Sequence, residues 1–440
     1  MRRLAALFVF ALLLVFFATL LMLRRGGSDE PPAVASATGT PRAAVSSPSP
    51  PPTSEEPAPE APEYATLRLA VAGDLVPHDA IIEEARTQDG YDFRPMMESV
   101  LPVTERADIA VLCLEAALVE SGYSGYPMFK APDALAEAIA DSGFDLVSTA
   151  SNHALDGLGH GLARTLEVLD ANNLAHVGTW ATFESWAERA GVTILEENGI
   201  SIAFLAYTYG TNGINIDSVG GHSRAVNVFA RDYLTLAVYD IDYDRIRTDM
   251  SVAKRLGADV IAVFMHWGIE YRTVPDSIQT DLADFLIAEG ADLILGGHPH
   301  VPEPLELRPV SDGRGEVRNV FLNYCMGNFI SSMNDQYTKL TGIAEIEIVK
   351  NLSTGEIEIK DASYVPFYMA DLGDFGAYSP DWRYRLLDLH GAIDAYDEAL
   401  LSGADPAPVN GAMYQDMLKS LEELHSIFGK KYDSYYFEKE

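Results

Sequence analysis

Positive charge and cysteine are both scarce in this chain. Its 440 residues contain 31 Lys and Arg against 65 Asp and Glu, for a formal charge of −34 that is spread along the sequence rather than gathered in one acidic tail. Such a surface repels polyphosphate backbones, which excludes nucleic acid as a partner. It keeps a protein soluble and self-avoiding, and it attracts cations. Only two cysteines occur, Cys113 and Cys325, each inside an apolar run. That excludes a disulfide-dense scaffold and predicts two buried thiols. From about Gly26 to Glu63 bulky apolar residues are almost absent, and Pro, Ser, Ala, Thr and Glu take their place. A segment of that composition cannot bury enough surface to fold and reads as a disordered linker, residues 26–63.

One long apolar run is present. Leu4 to Leu23, bracketed by Arg2-Arg3 and Arg24-Arg25, is long enough at about 1.5 Å per residue to cross a bilayer core of about 30 Å. It lacks the small-residue cleavage site of a secretory signal, so residues 1–25 predict one uncleaved signal-anchor transmembrane helix. The linker, semi-extended at about 3.1 Å per residue, would hold the rest up to roughly 100 Å from the membrane. The expected location is the cell membrane, single-pass, with the domain on the extracytoplasmic side.

From Tyr64 onward short apolar runs alternate with amphipathic stretches. Leu67–Ala72, Ile109–Leu114, Phe144–Ser148, Ile202–Ala206, Val260–Phe264, Leu293–Leu295 and Val320–Tyr324 predict strands. Pro132–Asp141, Gly159–Ala171, Tyr243–Leu256 and Ser277–Glu289 predict helices. Uninterrupted apolar strands separated by helices indicate an α/β fold with a largely parallel sheet. Ile343–Val349 and Ile357–Tyr364 predict a hairpin that closes the sheet. The main domain is placed at 64–370, and a helical, Tyr-rich C-terminal extension at 371–440.

Polar residues collect where these strands end, which is where open α/β sheets gather ligands. The tips read Gly73-Asp74-Leu75-Val76-Pro77-His78, Cys113-Leu114-Glu115, Ser151-Asn152-His153-Ala154-Leu155-Asp156, His266-Trp267-Gly268-Ile269-Glu270-Tyr271, Gly297-His298-Pro299-His300 and Gly327-Asn328-Phe329. Five of the ten histidines lie there. Each residue alone has an ordinary structural reading: a Gly-Asp turn, a strand end, a capping Asn-His pair, a packed histidine. Their joint occurrence at successive strand ends points to two divalent cations (Mn, Fe or Zn) held by mixed imidazole and carboxylate ligands. Asp74, Glu115, Asn152, His266, His298 and His300 are the candidate ligands. His78, Lys130, Glu270, Arg272 and Asn328 are candidates for contacts with the substrate or with the ligands.

In this order the motifs resemble the CapA-type capsule-synthesis family of poly-gamma-glutamate biosynthesis proteins, itself similar to the calcineurin-like metallophosphoesterases. The resemblance covers about Leu67 to Phe329. It implies a metallophosphoesterase-like sandwich of two sheets flanked by helices. It also implies that Asp74 and His300 hold one metal, that Asn152, His266 and His298 hold the other with Glu115 between them, and that His153 is a catalytic histidine outside the ligand shell. Three positions depart from the pattern: Cys113 stands where the family usually has Asn, Val76 where the wider phosphoesterases have His, and Glu115 where they have Asp. The implied activity is hydrolysis of a phosphoester or related bond in an anionic envelope polymer or its lipid carrier. The alternative is a non-catalytic, metal-stabilised subunit that works with polymer synthase or export subunits.

Overall fold

In a computed structural model, the protein is described for residues 63–437 except 220, 236, 237, 239 and 312–316. The apolar run 4–23 and nearly all of the linker lie outside the described residues. No helix among the described residues is long and apolar enough to cross a membrane.

The chain first lays down four parallel strands, β1 (Tyr64–Leu75), β2 (Ile109–Leu114), β3 (Leu146–Ser148) and β4 (Ala175–Val177). It then builds a second sheet from β5 (Thr193–Glu197), β6 (Ile200–Thr208), β7 (Val260–His266), β8 (Leu293–Gly297), β9 (Pro302–Ser311) and β10 (Val317–Met326), ordered β9-β10-β8-β7-β6-β5. It returns to the first sheet with β11 (Asn328–Ile330), β12 (Leu340–Asn351), β13 (Ile357–Asp371) and β14 (Tyr384–Asp388), giving the order β14-β13-β12-β1-β2-β3-β4. The expected hairpin is β12-β13, and it adds antiparallel to the free edge of β1. Strand β11 pairs with the last residues of β1, Asp74 and Leu75, beyond the reach of β12.

Side-chain alternation explains the layering. On β1, Leu67, Leu69 and Val71 face a core shared with Phe204 of β6, Phe264 of β7 and Leu293 of β8, so this core lies between the two sheets. Ala70 and Ala72 point the other way, to a second core with α1 (Ala134–Asp141) and α2 (Leu158–Ala171). The second sheet is covered on its outer face by α3 (Tyr243–Leu256) and α4 (Ser277–Ala288), through Ile246, Met250 and Ala253 and through Leu282, Ala283 and Leu286. Ile246, Met250 and Ala253 are spaced i, i+4, i+7, and Leu286 follows Ala283 by three residues and Leu282 by four, so each set lies on one helix face. Asp242 and Asp276 accept a backbone N–H at the two helix starts, which fixes where the helices leave the loops. The result is an α/β sandwich of two sheets flanked by helices.

The C-terminal segment contains β14 as well as helices. Helices α5 (Leu389–Ser402) and α6 (Gly411–Leu424) follow, and Met413, Met417, Leu424 and Phe428 enter the same core as Leu67 and Phe204. Cys113 and Cys325 are buried and unbonded to each other.

Candidate metal centre

The parallel strands run in one direction, so their carboxyl ends open on one edge of the sandwich. On β1 the pairing register shifts between Val71 and Asp74. Gly73 permits this, because a Cβ there would lie 1.9 Å from the Gly327 carbonyl oxygen. Asp74 N–H then donates to that same oxygen at 3.1 Å. At the end of β8 the backbone of His298 and His300 takes positive φ angles of 94° and 60°, a conformation that costs a β-carbon residue energy and is typically kept for a site's geometry. A Cβ on the preceding Gly297 would lie 2.4 Å from Asp74 Oδ1. Only a bare backbone leaves room for that carboxylate, whose Oδ2 accepts the His298 N–H at 2.7 Å.

These tips bring together Asp74, Glu115, Asn152, His153, His266, His298 and His300, all buried, with both carboxylate residues fully so. His266 Nε2 lies 2.7 Å from Asn152 Oδ1 and 3.4 Å from Glu115 Oε1. His300 Nδ1 lies 3.8 Å from Glu115 Oε2 and donates to Asn328 Oδ1 at 3.0 Å, so Asn328 orients that ring. The rings of His266 and His298 are 4.9 Å apart, and those of His298 and His300 are 5.8 Å apart. Ligand atoms gather as two groups, Asp74 with Cys113 and His266, and Glu115 with His298 and His300. That grouping differs from the family-derived pairing of Asp74 with His300, and it includes the Cys113 thiol. The 4.0 Å between Cys113 Sγ and His266 Nδ1 accounts for the inclusion.

Unpaired atoms show what this cluster suits. Asp74 Oδ1, both Glu115 oxygens and His298 Nδ1 are buried without a hydrogen-bond partner. Among the described residues no Lys or Arg pairs with either carboxylate. Burial, aided by the Glu115 charge and opposed by His266, raises the Asp74 carboxyl to about 6. Burial also raises Glu115, against the pull of His300 and His153. It lowers His266 to about 4, and His298 well below the usual imidazole range with help from His266 and His300. A neutral His298 imidazole with an unpartnered nitrogen, a neutral His266 beside it and two carboxylates lacking a counter-charge form a donor set that a divalent cation satisfies. The mixed nitrogen, oxygen and sulfur donors suit Zn, Mn or Fe.

His153 stands beside this set. Its Nδ1 is 2.6 Å from Asp156 Oδ2, its Nε2 3.9 Å from Glu115 Oε1, and Phe129 packs edge-on against it at 4.6 Å. Phe129 is held there by a two-residue parallel pairing of Ala117–Leu118 with Lys130–Ala131. Burial works against its protonation, but the Asp156 hydrogen bond and the Glu115 charge outweigh it and push His153 up.

The remaining candidates sit further out. His78 is half-buried, edge-on to Phe129 at 5.0 Å, and burial lowers it to about 4. Glu270 and Arg272 are exposed, and Glu270 is near enough for its charge to act on Glu115 and His153. Lys130 is half-buried and makes no side-chain ion pair among the described residues. Two contributors carried no mark that the sequence reading used. Asp156 orients His153, and its signal is the three-residue offset in Asn-His-Ala-Leu-Asp. Asn212, beyond the end of β6, has its Nδ2 3.4 Å from the His153 ring nitrogens, and its Oδ1 accepts from Asn152 at 3.3 Å. The tip of β6 has neither histidine nor carboxylate, so nothing pointed to it.

Comparison with known proteins places the chain among bacterial capsule synthesis proteins. A family model described as "Bacterial capsule synthesis protein PGA_cap" matches residues 68–333. The chain is 29% identical over 223 residues to the PGA biosynthesis protein CapA of Bacillus subtilis, covering 51% of this chain and 52% of that protein. It is 24% identical to the capsule biosynthesis protein CapA of Bacillus anthracis, over 49% of this chain and 47% of that one. The chain thus matches about half the length of these relatives. Among solved structures, the calcineurin-like phosphoesterase YfkN of Bacillus subtilis aligns with 69% of this chain and 91% of its own, at 15% identity and a TM-score of 0.38. An overlap that loose carries no argument about function.

Proposed function

The chain belongs to the bacterial capsule synthesis protein family PGA_cap, and from that premise we propose that it is a metal-dependent hydrolase of capsule or poly-gamma-glutamate biosynthesis, anchored in the cell membrane with its domain outside. The observation that carries the hydrolase reading is the set of buried, unpartnered donor atoms on Asp74, Glu115 and His298. Divalent cations, when bound, would supply Lewis acidity and lower the pKa of a water into the neutral range. Asp74, Glu115, His266, His298 and His300 would hold them, with Asn152 oriented by its contact with His266. His153, kept on its Asp156 partner, is positioned to give a proton to a leaving group. The substrate class is a phosphoester or related bond in an anionic envelope polymer or its carrier, and polymer synthase or export subunits are the proposed partners.

The test is metal analysis of the purified chain together with turnover of a generic phosphodiester. Two equivalents of Mn, Fe or Zn and measurable turnover are expected, with His298→Ala lowering both. Cation binding must displace the proton that burial keeps on Asp74 below about pH 6, while His266 is already neutral above about pH 4. Apparent affinity is therefore expected to rise with pH through about pH 6 as Asp74 gives up its proton. In the metal-free chain the same two shifts oppose each other. The raised Asp74 gives stability that is lost as pH rises from about 4 to 6, and the lowered His266 gives stability that is lost as pH falls below about 6.5. A flat affinity profile across this range would remove Asp74 from the ligand set.

A second reading, a metal-stabilised subunit without turnover, draws on two observations. Cys113 is held as a neutral thiol by burial, and the cluster is almost closed to solvent. Metal content without phosphoester turnover selects it.

The anchor carries its own test, because Leu4–Leu23 and the linker predict a membrane-bound protein with a detachable domain. Protease added to wall-stripped cells is expected to cut between residues 26 and 63 and release a soluble domain. A domain protected until the membrane is breached would reverse the orientation.

A further inference from the structure

A second cluster of ligand-type side chains lies in the C-terminal segment, outside residues 68–333. It shares no residue with the strand-end centre. His390 sits in the first turn of α5, His425 directly follows α6, and Asp433 lies in the tail beyond it. His390 Nε2 is 2.8 Å and His425 Nε2 2.7 Å from the same oxygen, Asp433 Oδ2. The other oxygen, Oδ1, accepts the Tyr435 N–H at 3.0 Å. Asp433 is fully buried, and the two imidazoles are 12% and 14% exposed, enough to admit a small ion but no larger ligand.

The surroundings fix these groups. The Tyr435 ring stacks on His390 at 4.3 Å and 13°, and Tyr436 is edge-on to both histidines. Tyr364 of β13, bridged to Asp433 through its backbone, is fully buried, and its hydroxyl has no hydrogen-bond partner. Among the described residues, histidines are the only basic side chains paired with Asp433.

Two imidazole nitrogens converging on one carboxylate oxygen, with all three ligand atoms within 4.8 Å, give three of the four positions of a tetrahedral zinc shell, with one left for water. We propose that His390, His425 and Asp433 bind one zinc-type divalent cation, and that this cation clamps the end of the chain onto β13. Both imidazoles would ligate, as neutral rings with the proton on Nδ1, through the Nε2 nitrogens that now face Asp433. The ties span 43 and 8 residues of sequence. The clamp would therefore join the start of α5, the end of α6 and the tail in one step.

Two variants test this on the full chain, stripped with chelator, reloaded with Zn²⁺ and desalted. His390→Gln/His425→Gln is expected to retain one zinc equivalent fewer than the wild type. An unchanged zinc content overturns the proposal. His266→Ala/His298→Ala removes two side chains of the strand-end centre and leaves the C-terminal segment intact. It is expected to keep one equivalent and, with Co²⁺ in place of zinc, to show the visible absorption of a tetrahedral ion. No bound metal in this second variant overturns the proposal even if the first variant fails to fold. Neither result depends on whether the strand-end centre catalyses anything.

Discussion

His153→Ala is expected to cut phosphodiester turnover by about 10²–10⁴-fold while leaving metal content as it was. The ring is outside the groups of ligand atoms, so its loss removes no donor. On the proposed reading, what it removes is the proton meant for the leaving group. Asp156, 2.6 Å from Nδ1, fixes one nitrogen and turns Nε2 toward the cluster. The upward shift of His153 keeps it protonated above the ordinary imidazole range. Activity that depends on this acid should therefore fall as pH rises through the shifted value. Asp156→Asn should move that alkaline limb to lower pH, since the hydrogen-bonded carboxylate is the main force holding the proton on. Turnover by His153→Ala at the wild-type rate would dismiss the acid role. No turnover by the metal-loaded wild type, with polymer production intact in His153→Ala cells, would leave the non-catalytic subunit.

The largest expected stability change comes from a single methyl group. In Gly73→Ala the new Cβ would sit 1.9 Å from the Gly327 carbonyl oxygen and 3.0 Å from its carbon. Both are backbone atoms, so neither can swing aside. Strands β1 and β11 must separate, which breaks the Asp74 N–H to Gly327 bond and carries the Asp74 carboxylate off its place under His298. A loss of about 3 kcal/mol is expected, at the upper end of overpacking penalties, together with loss of metal. Gly161→Ala serves as the contrast. It lies inside α2, and its Cβ would meet Ala117 at an ordinary 3.5 Å, so the helix gains up to about 1 kcal/mol. Urea unfolding of both variants checks the pair; equal midpoints would mean that β1 and β11 tolerate separation.

Much of this architecture is legible in the sequence, and the reasons are physical. Strands β2 and β7 are buried along their whole length, so Ile109–Leu114 and Val260–Phe264 read as unbroken apolar runs, the second strand continuing to His266. Edge strands escaped notice. Thr193–Glu197 is half exposed and polar, and Pro302–Ser311 carries three prolines that an outer strand tolerates and a central one would not. Tyr384–Asp388 alternates over only five residues inside a segment that otherwise reads as helical. The site followed the same logic. Its ligand candidates stand out because imidazoles and carboxylates at the ends of apolar strands are conspicuous. Asn212 contacts Asn152 and His153 through hydrogen bonds that leave no compositional trace, whereas Asp156, which orients His153, is marked only by its three-residue offset from that histidine. Cys113 was read as the loss of a polar group, but its place between Asp74 and His266 makes it part of the donor cluster.

The donors of the strand-end centre are divided between the two sheets. Asp74 and Glu115 belong to the first, while His266, His298 and His300 belong to the second. The bond from His298 N–H to Asp74 spans 224 residues of chain. No partly folded intermediate with only one sheet formed can assemble the pocket, because each sheet supplies only part of the donor set. The centre is thus an order parameter for the finished sandwich. In a refolding time course, capture of a cation by these residues should trail the return of secondary structure and coincide with burial of Leu69 and Val71 of the first sheet against Phe204 and Phe264 of the second.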